Sequence, residues 1–188
     1  MVIGASRRRQ TIGREILANL VGFGFHGPVY PVNPKASSIH SIRCFASISL
    51  VPGPVDLAVI TVAKEQVLSV VTACGKKGVR GLVVITAGFK EVGTGGAALE
   101  AKLKAKLDQY GMRMVGPNCM GIVNTEPAVM LNATFAATTP VRGNVGFVSQ
   151  SGALGEAILA DAADNGLGVS MFVSMGNKTD VSGNDLLE

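Results

Sequence analysis

Tryptophan is absent from these 188 residues, and aromatic residues together make up only 5%. A chain that stacks bases on exposed rings needs more of them, so a nucleic-acid partner is not expected. Charge is sparse as well, 16% of residues with a net of only +4 at neutral pH. Lys102, Lys104 and Lys106 alternate along an expected helix, so they spread around it instead of forming one basic stripe. No apolar run approaches the roughly 18 residues of a membrane span, and no basic stretch followed by an apolar one opens the chain as in a signal peptide. A membrane partner is not expected either. Cysteine is limited to Cys44, Cys74 and Cys119, odd in number and far apart. That argues against a disulfide framework and for a reducing, cytoplasmic setting. His26 and His40 form no ligand cluster with the cysteines, so no metal site is expected.

What the chain does contain is a 47% share of hydrophobic residues and 24 glycines, a mix suited to buried parallel strands. Strand and helix patterns alternate almost from the start. After Val2-Ile3, residues 11–21 carry apolar residues at Ile12, Ile16, Leu17, Leu20 and Val21, the stripe of a helix that Gly22 and Gly24 would end. Residues 29–32, 56–63, 81–86 and 113–115 read as strands, with helices over about 65–76 and 97–110. The fold class is therefore α/β, a Rossmann-like doubly wound parallel sheet with right-handed crossovers. Ligands of such sheets bind at the carboxyl ends of the strands. Here those ends are the loops 4–11, 33–36, 62–65, 86–92 and 116–121.

The alternation breaks over EPAVMLNATFAATTPVRG, which holds two prolines and few charges. Residues 1–126 are thus expected to form one domain, 127–143 a connection, and 144–188 the start of a second domain. In the last segment, residues 145–149 and 169–173 read as strands around a helix at about 153–165, and Leu186-Leu187-Glu188 as the opening of another helix. Two strands make no independent sheet of useful size. The second domain is expected to be incomplete, and the chain a fragment of a longer polypeptide.

The first loop, IGASRRRQTIG, resembles a dinucleotide-binding turn without being one. That fingerprint needs glycine where Ser6 and Arg9 stand, and an acid at the end of the second strand, where the sequence reads Val32-Asn33-Pro34-Lys35. Arg7, Arg8, Arg9 and Lys35 instead suit a nucleotide carrying an extra ribose phosphate, with NADP and coenzyme A both open. GPNCMG, at 116–121, offers a donor and an acceptor on Asn118 and a small polarizable thiol on Cys119, which would suit a thiol or thioester. Pro117 should hold Gly116 extended. Taken alone, Cys119 reads more simply as a small buried hydrophobe.

Together the segments VIGASRRRQTIGREIL, GPVYPVNPK, DLAVITVA, VVITAGFKEVG, VGPNCMGIVN, GNVGFVSQSGAL and SMGNKTDVSGNDLLE cover nearly the whole chain. In that order and spacing, they resemble the CoA-binding region of nucleoside-diphosphate-forming acyl-CoA synthetases. This superfamily contains the ADP-forming acetyl-CoA synthetases and the succinyl-CoA synthetase α-subunits. The resemblance implies a CoA-binding Rossmann-like domain followed by a truncated flavodoxin-like succinyl-CoA ligase domain. It places Gly4, Ala5, Ser6, Arg7, Arg8 and Thr11 around CoA phosphates, with Lys35 reaching another phosphate of the nucleotide. Val62 and Ala63 would flank the adenine, Thr86 and Ala87 the pantetheine arm, and Asn118 and Cys119 the thiol end. Ser151 and Gly152 would open a helix whose amino end faces a phosphate, an arrangement that free N–H groups and the helix dipole favour. The implied reaction converts acyl-CoA and phosphate to an acyl phosphate, then passes the phosphoryl group through a phosphohistidine to a nucleoside diphosphate.

That histidine would lie outside this chain, because His26 and His40 sit in no matching motif. No catalytic residue is therefore expected here. ADP or ATP and Mg are expected only with the remaining ligase and ATP-grasp domains or subunit, and an oligomer is compatible with the resemblance. Two departures stand out: Arg9 and Gln10 where the family commonly has proline or glycine, and Ala63-Lys64 where a proline commonly follows the third strand. Two other roles share the fold or part of it. One is a non-catalytic CoA-binding regulatory module of a protein lysine acetyltransferase, and the other is an NADP-dependent oxidoreductase domain.

Overall fold

The computed structural model describes residues 1–187. Its first sheet contains β1 (Val2–Ile3), β2 (Pro31–Val32), β5 (Leu57–Ile60), β6 (Gly81–Val84) and β7 (Arg113–Val115), all parallel in the order β2-β1-β5-β6-β7. Between β2 and β5 the chain makes a small hairpin of β3 (Ser38–Ile39) and β4 (Ile42–Arg43). Helices α1 (Ile12–Gly22), α2 (Lys64–Lys77) and α3 (Thr94–Tyr110) supply the other connections. The chain leaves β1 toward β2 and later returns to β1's other side with β5. That reversal opens a crevice at the carboxyl edge, where doubly wound sheets take their ligands.

Side chains alternate across these strands, so each strand serves two cores. Ile3, Ala58, Ile60, Leu82 and Val84 face Val67, Val71 and Cys74 of α2 and Leu103 and Leu107 of α3. Val2, Val59, Val83 and Ile85 face Ile16, Leu17 and Leu20 of α1. Helix α1 lies unusually close to β1. A Cβ on Gly13 would sit 2.3 Å from the carbonyl oxygen of Gly4, so only glycine fits. The close helix–strand packing for which a dinucleotide turn uses a loop glycine is supplied here by Gly13.

The second sheet combines β8 (Gly121–Asn124), β9 (Leu131–Thr134), β10 (Arg142–Ser149) and β11 (Val169–Ser174) in the order β10-β11-β8-β9. β10 and β11 are parallel; β8 and β9 are antiparallel additions. Helix α4 (Gly152–Asp164) covers the face that holds Val123 and Phe172, packing Leu159 and Ala162 against it. The stretch expected to be a plain connection thus contains a strand. Ala133 of β9 is buried against α1, and the Asn19 amide donates to the carbonyls of Thr134 and Ala136, both at 2.9 Å. Sequence pattern missed β8 and β9 because four-residue strands in a mixed polar and apolar stretch give too little periodicity to read.

After β11 the chain runs back along the free edge of β7. Thr179 N donates to Gly116 O at 3.3 Å and Val181 N to Met114 O at 3.1 Å, while Asp180 Oδ2 accepts from Met114 N at 2.8 Å. Arg113 ties the same segment down through Asp180 and Asp185, at 3.0 and 2.7 Å. This covers an edge that would otherwise offer unpaired backbone groups. Asn184–Leu186 forms a single 3-10 turn; the helix expected from Leu186 onward includes Glu188, which lies outside the described residues. No helix among the described residues is long and apolar enough to cross a membrane, and they contain no group of potential metal ligands.

Candidate functional site

At the carboxyl edge of the first sheet, successive loops are stitched together by hydrogen bonds. Asn33 Nδ2 donates to Ala5 O at 2.7 Å, and Thr61 Oγ1 to Ile3 O at 3.1 Å. Thr86 Oγ1 donates to Val62 O at 2.7 Å, and Asn118 N to Thr86 O at 3.0 Å. The ends of β1, β2, β5, β6 and β7 therefore form one continuous rim.

A cleft of about 990 Å³ opens at the β1–β5 crossover and is bounded by Gly4, Asn33, Lys35 and Val62. Its apolar wall comes from Ile3, Val32, Ile48 and Val70, and its polar groups include Ser47, Ser49, Gln66 and Ser69. Three lysines, Lys35, Lys76 and Lys77, line it among the described residues, and no acid does. Lys77 Nζ donates to Val51 O at 2.7 Å, whereas Lys35 and Lys76 are exposed. An apolar slot beside unopposed cations suits a planar, phosphorylated group. The contribution of α2 was missed in the sequence, although Gln66, Ser69, Ala73 and Lys76 do fall at helical spacing on one face. The residues 46–49 were not legible at all, because an irregular loop brings them there.

The arginine loop divides its labour. Arg7 is committed to the protein: its Nε donates to Ser38 O at 2.8 Å and its Nη2 to Ser37 Oγ at 3.1 Å, pinning the β3–β4 hairpin. Arg8 and Arg9 are exposed, and their guanidinium groups make no hydrogen bond among the described residues. Ser6 Oγ accepts from Arg8 N at 3.0 Å and Thr11 Oγ1 donates to Arg8 O at 2.8 Å, so the backbone at Arg8 is fixed from both sides. Ala63 and Ala87 are exposed at the starts of their loops, next to Val62 and Thr86.

The turn at 116–119 differs from the expected extended form. Gly116 has φ of +99° and precedes a cis bond to Pro117. A Cβ at Gly116 would lie 2.5 Å from Val84 O, so the turn fits against β6 only with glycine. Asn118 takes the left-handed conformation at φ +58° and is exposed at the rim, a backbone that asparagine tolerates well. Cys119 turns inward. Its Sγ approaches Val84 O at 3.3 Å, and burial pushes the thiol up to about 12. Only its backbone is left to meet a ligand, and the side chain takes the place of a small buried hydrophobe.

Helix α4 starts against Met120, the residue that follows that turn. A Cβ on Gly152 would stand 3.3 Å from Met120 Cβ, and Met120 N donates to Ser174 Oγ at 2.9 Å. Ser151 caps the helix by accepting from Leu154 N at 3.3 Å. The structure thus sets the start of α4 beside Met120, two residues after Asn118, while Lys35 and Val62 line the cleft at the β1–β5 crossover.

Residues 1–125 match the CoA binding domain family, and residues 142–188 the succinyl-CoA ligase like flavodoxin domain. Over its whole length the chain is 47% identical to an ADP-forming acetate–CoA ligase of Methanocaldococcus jannaschii, of which it covers 26%. It is 44% identical to the α-subunit of ADP-forming acetate–CoA ligase II of Pyrococcus furiosus, again over all of this chain and 40% of the relative. A solved dinucleotide-forming acetyl-coenzyme A synthetase 1 from Ca. Korarchaeum cryptofilum, in complex with phosphate and ADP, superposes with a TM-score of 0.94 at 46% identity. That match covers 99% of this chain and 40% of that one. The chain therefore spans between a quarter and two fifths of the length of these relatives.

Proposed function

We propose, from the premise that this chain belongs to the CoA binding domain family, that it is the CoA-holding part of an ADP-forming acyl-CoA synthetase. The observation that carries this reading is that the first turn of α4 packs beside Met120, the residue that follows the GPNC turn, so closely that a Cβ on Gly152 would lie 3.3 Å from Met120 Cβ. A thiol end held at Asn118 and a phosphate held at Ser151-Gly152 would be neighbours. Transfer of an acyl group from a thioester to phosphate needs that placement, with reacting atoms about 3–3.5 Å apart. A phosphate oxygen attacks the thioester carbonyl, the carbon–sulfur bond breaks, and the electron pair leaves on the CoA sulfur. The residues of this chain bind and orient both partners. Phosphoryl transfer through a histidine, and ADP or ATP with Mg, belong to the remaining ligase and ATP-grasp portions.

The adenosine phosphates would lie across the cleft, with Lys35 and Arg8 as their cations and Val62 as an apolar wall. The matches give no support to an acetyltransferase module or an NADP-dependent oxidoreductase, and β2 ends without the acid that would hold a nicotinamide dinucleotide's ribose. The three cysteines are free and buried, consistent with assignment to the reducing cytoplasm.

Titration calorimetry tests the reading. The chain should bind CoA and not NADP, and Lys35→Ala or Arg8→Ala should each weaken binding by roughly 1.5–3 kcal/mol at most. Both variants should also flatten the salt dependence. No binding at millimolar CoA would defeat the assignment.

A further inference from the structure

Beside the GPNC turn lies a cluster of polar groups that makes none of the ligand contacts proposed above. Asn177, only 6% exposed, sits at its centre. Its amide nitrogen donates to Glu91 Oε2 at 2.6 Å and to Glu100 Oε2 at 2.8 Å. Its backbone is held too: the N–H donates to Pro117 O at 2.9 Å, and the carbonyl accepts from Lys90 Nζ. Glu100, itself 6% exposed, also accepts from Thr179 Oγ1 at 2.5 Å and from Lys90 N at 3.1 Å. Lys90 Nζ pairs with it at 3.2 Å. Glu91 Oε1 accepts from the backbone of Gly88 and Phe89, at 2.5 and 3.1 Å.

A primary amide can turn over about its last bond unless its partners distinguish nitrogen from oxygen. Here they do. An ionised carboxylate only accepts, so two carboxylates can face only the NH2 end of Asn177. Burial pushes both glutamates up, but the hydrogen bonds they receive outweigh it and hold both below the ordinary carboxylate value. Asn177 Oδ1 is left facing Asn118, whose Nδ2 donates to it at 3.4 Å. The backbone of Asn118 is already fixed by its bond to Thr86 O, so this contact settles which way its side chain is turned. Its Oδ1 accepts nothing among the described residues and belongs to an exposed side chain on the rim.

We propose that Asn177, locked between Glu91 and Glu100, is a positioning residue that turns Asn118 to present an acceptor oxygen to an N–H or S–H donor at the ligand's thiol end. This rests on the function proposed above. The cysteamine end of CoA carries both kinds of donor, whereas adenosine 3′,5′-bisphosphate carries only the nucleotide end. Asn177 reaches the site from the segment after β11, so the second sheet's position is felt at the CoA thiol.

Calorimetry on the full chain with those two ligands separates positioning from a general loss of structure. Asn177→Ala should weaken CoA binding about tenfold, the change expected for one ordinary hydrogen bond, and leave adenosine 3′,5′-bisphosphate binding unaltered. Asn177→Asp should show the same selective loss, because it sets a third carboxylate against the two already present. Glu91→Gln stands at the exposed rim of the cluster and covers the case in which neither variant folds. Its side-chain amide no longer demands the NH2 end of Asn177 whereas Glu100 still does, so a smaller loss, again confined to CoA, is expected. Equal weakening of both ligands, or unchanged CoA affinity in the folded variants, overturns the positioning role. If the wild-type chain fails to bind CoA, both this role and the proposed function fall; if it binds and the variants match it, only the positioning role does.

Discussion

The first sheet and the second are made from similar residues but are covered differently. In the first, α2 and α3 close one face while α1 and β9 close the other, so Val59, Ile60, Val83 and Val84 are all buried. In the second, α4 closes one face, and α1 covers only the β8–β9 part of the other. On the opposite face Val148 and Met171 are 38% and 42% exposed, and β10 is an edge strand. Strands of parallel pairs are normally covered on both faces. The second sheet is instead held by what it borrows: β8 and β9 on one side, and the segment over β7 on the other. The first sheet has a complete core, whereas the second depends on the first for much of its support.

The largest expected effect probes the second core directly. Phe172 is fully buried and stacks against Phe147 with ring centroids 5.4 Å apart. Phe172→Ala should cost about 3–5 kcal/mol in urea unfolding. Amide exchange should then quicken in β10 and β11 while β5 and β6 stay protected. If all four strands lose protection together, the two sheets are one cooperative unit and the contrast drawn above is wrong.

A smaller effect should appear on acidification at the seam. Glu91 and Glu100 titrate below the ordinary value of 4.5 in the folded chain, so their stabilisation is complete above that value. It is lost as the pH falls through their folded values, because the unfolded chain then binds more protons. The side-chain amide resonance of Asn177 should shift over that range before the amides of β5 and β6 lose protection. An Asn177 signal that stays put would place the seam's strength elsewhere.

The smallest effect belongs to the open face. Val148→Lys should change stability by no more than about 0.5 kcal/mol, yet reduce self-association in sedimentation at high concentration, since it places charge on an apolar patch. A large destabilisation would mean that Val148 is packed against something in solution.

Much of the first sheet was legible. The continuous apolar runs at 57–60 and 81–84 could hardly be anything but buried strands, and the glycines and polar residues between the elements marked the binding edge. The arginine loop was legible as a cationic site, but not the split that commits Arg7 to the hairpin and leaves Arg8 and Arg9 free. That split depends on Ser37 and Ser38, thirty residues along the chain. Cys119 taken alone was legible as a small buried hydrophobe, but only the fold shows its Sγ turned against Val84 O. β8 and β9 were hidden because they are four-residue strands in a mixed polar and apolar stretch, and β8 takes its second partner, β11, from far along the chain.

By itself the sequence determined the order of strands and helices in the first sheet, and it pointed to the carboxyl edge as the binding edge and to an anionic ligand there. Periodicity, glycine placement and charge are local properties and survive without a structure. The tertiary fold decided which cations remain free, how Cys119 is turned into the core, and that Met120, just after the turn at 116–119, meets the start of α4. It also decided that Asn177 reaches Asn118 from beyond β11. Each of these depends on groups far apart in the chain whose meeting is set by how two sheets pack, and no local pattern encodes that.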